Sequence, residues 1–271
     1  MKLPSFQTLK VDLDPRGVLT VSLNRPEVRN AFNDVMIPEL HDVFATYVPK
    51  AEVRAVVLKG EGPVFSAGGD LNWMKKAVNY DFAQNLCDTQ VLTRMFVTLN
   101  ECPKPVIGAF HGAAIGGGVG LVSICDRVVA SAETQFSLSE VRLGIVPACI
   151  GPFVIAKIGA SNARALFLTG ERILAPRARE IGLIHDVVGT PQEIGAAVEK
   201  ILENVLQCGP NAMAHAKKLV LNLSWPEKRD ALGDPYEYVA KMLAELRVST
   251  EGQEGVKAFL EKRKPSWLGQ A

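Results

Sequence analysis

The chain of 271 residues is 48% hydrophobic and 22% charged, and its formal net charge is +1. This length and apolar content suffice for one large or two modest domains with a buried core. The near-neutral charge gives no electrostatic reason to expect a nucleic-acid ligand or an anionic membrane surface.

The first half of the chain alternates predicted strands with predicted helices. Residues 18–23 alternate apolar and polar side chains, which is typical of a strand with one buried face. Asn33 precedes an apolar stripe at helical spacing and is predicted to cap that helix. Further on, the pattern predicts a strand over 54–58, helices over 71–78 and 86–99, and a strand over 105–110.

A run of small residues, 112–120, follows the last of these strands and leads into an apolar stretch suited to a helix. Beyond it we predict a strand over 128–130, helices over 160–168 and 177–181, and a last strand over 184–188. From there on only amphipathic helices are predicted, over 190–206, 211–223, 236–246 and 250–262. The predicted fold class is therefore α/β, with a core of strand–helix units over residues 1–189 and a helical region over residues 190–271.

Cysteine usage and the N-terminal residues bear on the compartment. The five cysteines are scattered and form no C-x-x-C pair, which favours a reducing environment and gives no zinc site. Residues 1–14 contain no apolar targeting core, so a cytoplasmic location is predicted.

Residues 105–125 raise the question of a membrane span. They contain no charged side chain and repeat glycine at every fourth position, a pattern typical of paired transmembrane helices. His111 and six glycines leave the stretch only weakly lipophilic, however. We therefore predict that it does not span a membrane.

The glycine run is the first candidate for chemistry. A strand that ends in small residues and starts a helix leaves backbone N–H groups unpaired at the positive end of the helix dipole. Such groups bind negative charge, either a resident phosphate or an oxyanion that forms during a reaction. Glu140 follows among apolar neighbours and is a candidate proton-transfer group. Together they predict an oxyanion hole with one acid/base.

Other meanings of the glycines are weaker. The third glycine of a dinucleotide-binding G-x-G-x-x-G is absent, because Leu121 stands where it would follow Gly116 and Gly118. No Gly-Lys-Ser/Thr follows the run, and the chain contains no G-x-S-x-G serine-hydrolase motif. The remaining alternative is structural, with glycines that let a helix pack closely on a strand.

Five stretches of the chain together resemble the crotonase, or enoyl-CoA hydratase/isomerase, superfamily. They are NRPEVRNAF (24–32), FSAGGDLNWM (65–74), GAAIGGGVGL (112–121), SLSEVRLGIVPA (137–148) and EGVKAFLEKRKPSW (254–267). The resemblance implies a spiral core of β-β-α turns and a C-terminal helical trimerisation region, in a trimer or a dimer of trimers. It implies an acyl-CoA substrate and no metal or redox cofactor, since coenzyme A enters as the substrate thioester.

The resemblance also assigns roles to individual residues. The two oxyanion-hole N–H groups fall on Gly69 and Gly117, and Glu140 is the catalytic acid/base. Asp70 is expected to orient its loop, and Trp73 to line an acyl pocket or lid unless it only packs in the core. The predicted contacts with CoA or the acyl group are Arg29, Ala31, Ala67, Gly68, Asp70, Leu71, Trp73, Gly116, Gly120, Phe259 and Lys262, of which Phe259 and Lys262 often come from a neighbouring subunit.

Gly120 is where this sequence departs from the common hydratases, which place a second glutamate there. The stretch around Glu140 and residues 248–267 look most like bacterial 3-methylglutaconyl-CoA and isohexenylglutaconyl-CoA hydratases. We therefore predict a hydratase of a branched or carboxylated enoyl-CoA. The distal carboxylate of such a substrate would be held by a cation, or would help to place water in the space that Gly120 leaves.

Three alternatives to this hydratase stay open. A Δ3,Δ2-enoyl-CoA isomerase would work with the same single glutamate. A decarboxylase, or an enzyme of another enolate chemistry, is the next hypothesis. Outside enzymes, the chain would be a non-catalytic acyl-CoA-binding homologue, for which the missing glutamate at Gly120 is the only argument.

Overall fold

The computed structural model describes residues 1–269, with nine strands and eleven α-helices in that range. The strands are β1 Leu9–Leu13, β2 Val18–Leu23, β3 Ala55–Gly60, β4 Val106–Phe110, β5 Ala113–Ile115, β6 Arg127–Ser131, β7 Gln135–Ser137, β8 Arg172–Leu174 and β9 Asp186–Val188. The helices are α1 Met36–Asp42, α2 Leu71–Ala77, α3 Phe82–Glu101, α4 Gly117–Ile124, α5 Gly151–Thr169, α6 Ala175–Glu180, α7 Ile194–Gln207, α8 Pro210–Ser224, α9 Pro226–Asp230, α10 Pro235–Val248 and α11 Thr250–Leu260.

Two sheets organise these elements. The large sheet has the order β1-β2-β3-β4-β6-β9, in which only β1 runs antiparallel to its neighbour. The small sheet has the order β5-β7-β8, and isolated parallel bridges join Phe32 to Gly69 and Ser66 to Ala114. Successive turns thus give a strand to the large sheet, a short strand or bridge to the small one, and then a helix. This is the β-β-α spiral that the resemblance implied.

The large sheet is buried on both faces, which explains the apolar sequence of its inner strands. On β3, Val56 and Leu58 point into the main core, whereas Ala55 and Val57 point to the opposite face. Helix α7 covers that opposite face with three buried residues, Ile194, Val198 and Leu202. The first helix after residue 190 therefore packs on the sheet, while the division at Gly189 stays a prediction.

Most predicted elements are confirmed, and the differences have local causes. Strands β1, β5, β7 and β8 and helix α9 were not predicted; all but β1 are short. The predicted helix over 160–168 is part of the longer α5, within which Gly159 has non-helical dihedral angles. Asn33 Oδ1 accepts hydrogen bonds from the N–H groups of Val35 (3.3 Å) and Met36 (2.9 Å), as expected of a cap.

The stretch over 105–125 does not form one continuous helix. It is divided among β4, β5 and α4. Over residues 1–269 the structure has no helix whose length and hydropathy would let it cross a bilayer.

Candidate active site

Two glycine-containing loops lie side by side above the small sheet. The first glycine loop is residues 66–70, and the second glycine loop is residues 115–118. Ser66 N–H donates to Ala113 O and Ile115 N–H donates to Ser66 O, both at 3.0 Å. A Cβ atom on Gly68 would lie 3.0 Å from Ile115 O, and its φ of +89° is unfavourable for other residues. Glycine at 68 thus allows the loops to approach closely.

Phe32 connects the two loops. Its N–H donates to Gly68 O (2.7 Å) and its carbonyl accepts from Asp70 N–H (2.8 Å), so its main chain follows the first loop. Its ring lies against the second loop, where a Cβ atom on Gly117 would be 3.2 Å from a ring carbon. Sequence reasoning placed this residue in a family-like stretch but gave it no role.

The N–H groups of Gly69 and Gly117 have no hydrogen-bond acceptor among residues 1–269. Gly117 is the first residue of α4, so its amide is one of the unsatisfied donors of a helix N-terminus. The structure thus leaves unpaired the two amides that were predicted to form an oxyanion hole, and it places them on adjacent loops.

Glu140 reaches the second glycine loop from a short 3-10 turn, Ser139–Leu143. A Cβ atom on Gly116 would lie only 2.9 Å from Glu140 Oε1, so the carboxylate lies directly over this glycine. Its Oε2 atom is buried and has no hydrogen-bond partner within residues 1–269. Burial raises the pKa of Glu140 above the ordinary value of a glutamate. A carboxyl group in this setting is suited to accept and return a proton.

Asp70 stabilises the start of α2. Its Oδ1 accepts hydrogen bonds from the N–H groups of Asn72 (2.7 Å) and Trp73 (3.3 Å), and its Oδ2 pairs with Arg25 Nη2 at 2.9 Å. Burial by itself would raise the pKa of Asp70, but these hydrogen bonds outweigh it and the pKa is lowered. Asp70 is therefore an ionised residue that fixes the first glycine loop.

Arg25 and Asn30 were missed as supports of the site. Arg25 Nη1 also donates to Ala31 O (2.6 Å), and Arg25 N–H donates to Asn30 Oδ1 (2.8 Å). Buried Asn30 donates from Nδ2 to the carbonyls of Glu61 (2.7 Å) and Val64 (3.0 Å). These bonds tie residues 25–31 to the segment that enters the first glycine loop.

Gly120 faces an apolar wall rather than open space. A Cβ atom there would lie 2.3 Å from Ile150 Cγ2 and 2.8 Å from Phe96 Cε1. The expectation that Gly120 leaves room for a water or for a substrate carboxylate is therefore wrong. The side chains of Ile150 and Phe96 fill the volume beside Gly120.

The other predicted contacts are spread around the loops. Arg29 is exposed and its carbonyl accepts from Ala67 N–H (2.9 Å), Ala31 is buried, and Leu71 is 73% exposed. Half-buried Trp73 donates from Nε1 to Asp88 Oδ1 at 3.3 Å. Exposed Phe259 and Lys262 are at the end of α11, a helix that packs against α8 and α10. Their contact with CoA stays a prediction.

Within residues 1–269, no three His, Cys, Asp or Glu side chains come together in a way that would hold a metal ion. The charged groups at the two loops are instead Glu140, Asp70 and Arg25. The arrangement can stabilise an oxyanion and move a proton.

Comparison with known proteins gives the same picture over the whole chain. The sequence model described as Enoyl-CoA hydratase/isomerase matches residues 14–270. A crystal structure of an enoyl-CoA hydratase from Shewanella pealeana is similar, with a TM-score of 0.90 and 38% identity over 97% of this chain and 96% of that chain.

Three curated relatives are similar over nearly their full lengths. A putative enoyl-CoA hydratase from Thermus thermophilus is 31% identical, over 94% of this chain and 99% of its own. A 2,3-dehydroadipyl-CoA hydratase from Escherichia coli is 30% identical, over 93% of this chain and 96% of its own. A trans-2-decenoyl-[acyl-carrier-protein] isomerase from Streptococcus mutans is 29% identical, over 98% of this chain and 99% of its own.

Proposed function

The chain belongs to the enoyl-CoA hydratase/isomerase family of enzymes, and we propose that it hydrates the 2,3-double bond of a branched or carboxylated enoyl-CoA. One observation carries the proposal. The Glu140 carboxylate lies over Gly116, beside two loops whose Gly69 and Gly117 amides have no acceptor within residues 1–269. This is what a reaction through a thioester enolate requires.

The chemistry follows from these three groups. The Gly69 and Gly117 amides donate to the thioester oxygen, which draws electron density from the double bond and makes C3 electrophilic. Each such donor typically contributes about 3 kcal/mol of transition-state stabilisation. Glu140 accepts a proton from the water that adds to C3 and delivers a proton to C2. The enolate then collapses to the 3-hydroxyacyl thioester.

The branched or carboxylated acyl group is supported by two kinds of similarity. Residues 135–159 and 248–267 look like the 3-methylglutaconyl-CoA-type hydratases, and a relative is named for 2,3-dehydroadipyl-CoA, the thioester of a dicarboxylic acid. Because Ile150 and Phe96 fill the volume beside Gly120, Glu140 is the only protein carboxylate proposed to position and deprotonate the water.

A Δ3,Δ2-enoyl-CoA isomerase is the second candidate. The apolar wall of Ile150 and Phe96 favours it, since a proton shuttle between C2 and C4 needs one carboxylate and no ordered water. The relative from Streptococcus mutans is named as an isomerase. In this alternative the same amides hold the enolate and Glu140 carries the proton.

The deciding experiment compares substrates. We expect hydration of 3-methylglutaconyl-CoA to be faster, by kcat/KM, than hydration of crotonyl-CoA. Equal or better hydration of crotonyl-CoA would contradict the acyl preference. Conversion of a 3-enoyl-CoA to the 2-enoyl isomer, without hydration of either thioester, would favour the isomerase. The Glu140→Gln variant is the inactive control for every reaction.

We further propose a trimer or a dimer of trimers as the working assembly. The last turn of α11 carries Phe259 and Leu260, which are 81% and 73% exposed, and both would be covered by a neighbouring subunit. Analytical ultracentrifugation tests this, with a monomer at micromolar concentration as the contradicting result.

A further inference from the structure

A polar cavity lies between the small sheet and the 3-10 turn that carries Glu140. Its volume is about 250 Å³, and its lining residues are Ile115, Ser137, Ser139, Arg142, Leu143 and Arg172. Ile115, Ser137 and Arg172 are register partners across β5, β7 and β8, so they share one face of the small sheet. Ile115 directly precedes Gly116, and Ser139 directly precedes Glu140. Two lining residues of the cavity are therefore chain neighbours of the proposed oxyanion loop and of the proposed acid/base.

The two arginines give this cavity an uncompensated positive charge. No Asp or Glu lines it, and neither Arg142 nor Arg172 forms an ion pair with a carboxylate within residues 1–269. Arg142 Nη2 makes a long contact with Thr169 O (3.5 Å), and Arg172 Nη1 donates to Gln135 Oε1 (3.3 Å). A guanidinium carries five N–H donors, so most of the donors at this cavity are unused.

Guanidinium groups match carboxylate and phosphate oxygens in charge and in geometry, and two of them line this cavity. We propose that this cavity is an anion subsite, in which Arg142 and Arg172 together bind an anionic group of the acyl-CoA. The group is either the distal carboxylate of the acyl chain or a phosphate of coenzyme A. This inference rests on the acyl-CoA substrate proposed above.

Equilibrium binding of unreactive saturated thioesters tests the subsite without relying on turnover. Glutaryl-CoA carries both a distal carboxylate and phosphates, butyryl-CoA carries only the phosphates, and S-glutaryl-pantetheine carries only the carboxylate. Calorimetry gives the Kd of each for the wild type and for the variant with Arg142→Gln and Arg172→Gln. Each single variant is measured as well, in case the double variant does not fold. Arg179→Gln, at an exposed arginine outside the cavity, is the matched control.

The double variant should bind glutaryl-CoA about tenfold more weakly or worse, while Arg179→Gln binds it normally. If the subsite holds the acyl carboxylate, S-glutaryl-pantetheine loses affinity to the same extent and butyryl-CoA does not. If it holds a phosphate, butyryl-CoA loses affinity and S-glutaryl-pantetheine does not. Unchanged affinity for all three, or an equal loss in Arg179→Gln, would overturn the subsite alone. A wild type that binds none of the three would overturn the proposed function together with it.

Discussion

The two ends of residues 116–120, the second half of the glycine run, behave in opposite ways. At its start, Gly116 and Gly117 border polar groups that lack partners within residues 1–269, namely the Gly117 amide and Glu140 Oε2. At its end, Gly120 is packed so closely by Ile150 and Phe96 that even a methyl group does not fit. Missing side chains thus expose backbone donors at one end and admit large neighbours at the other. Glycines only a few residues apart in one motif can therefore have unrelated functions.

The largest expected effect is at the start of the run. Replacing Glu140 with Gln keeps the shape of the side chain but removes its capacity to move a proton, so kcat should fall about 1000-fold. Binding of a saturated acyl-CoA should stay within about threefold, because the oxyanion donors are intact. Steady-state kinetics and calorimetry measure the two quantities. Glu133→Gln, at an exposed glutamate, is the control, and full activity of Glu140→Gln would refute the assignment.

The first glycine loop extends the comparison, because its open Gly69 amide is followed by the tightly bound Asp70. Replacing Arg25 with Ala leaves the Asp70 carboxylate, which is 5% exposed, without its cation, and should lower the free energy of unfolding by about 3 kcal/mol. The exposed pair of Arg127 and Asp186 is the matched control, and Arg127→Ala should cost less than about 1 kcal/mol. Urea unfolding compares them, and equal losses would contradict a special role for Arg25.

Gly120→Ala tests the packed end of the run. The added methyl group would overlap Ile150 and Phe96, so the free energy of unfolding should fall by about 2 kcal/mol, while kcat per folded molecule is retained. Adding Ile150→Ala should recover part of the loss, since that change removes the overlapping Cγ2 atom. Thermal unfolding of the two single variants and the double variant measures the coupling, and strictly additive effects would show that the wall is not in contact with residue 120.

The smallest effect is a pH dependence of stability. Because the pKa of Glu140 is raised on folding, the folded chain holds this proton more tightly than the unfolded chain. Stability therefore falls as the pH rises from the unfolded pKa, about 4.3, through the higher folded pKa. Glu140→Gln removes this cost, so the variant should melt at a higher temperature than the wild type at pH 8.

Melting curves between pH 4 and pH 8 follow that difference, which should disappear at the acid end. Glu133→Gln should show no such trend. A wild type that is the more stable of the two at pH 8 would mean that the Glu140 carboxylate gains more from its surroundings than it loses by burial.

Local sequence patterns predicted most of the fold but not all of it. The long strands and helices carry a clear period, whereas β5, β7 and β8 have three residues each, too few to show one. The α/β order and the helical C-terminal region followed from runs of many residues. The short strands that align the two loops depend on pairing between distant segments, which no local pattern reports.

The candidate site divides in the same way. The glycine run and Glu140 could be selected from neighbouring residues alone, and the pairing of Gly69 with Gly117 came from a resemblance that spans the chain. Arg25 was missed because its partner Asp70 is 45 positions away. The apolar wall at Gly120 was missed for the same reason, since Phe96 reaches it from α3 and Ile150 from the turn that precedes α5.

Phe32 gives the site a property that neither glycine loop has by itself. Its main chain is hydrogen-bonded to one loop and its ring packs against the other, so this single phenylalanine spaces the loops that carry the Gly69 and Gly117 amides. In the proposed reaction, the width of the opening for the thioester oxygen thus depends on a residue that donates neither hydrogen bond. Substitutions intended to change the width of this opening would begin at position 32, because the size of that ring sets the spacing of the two loops.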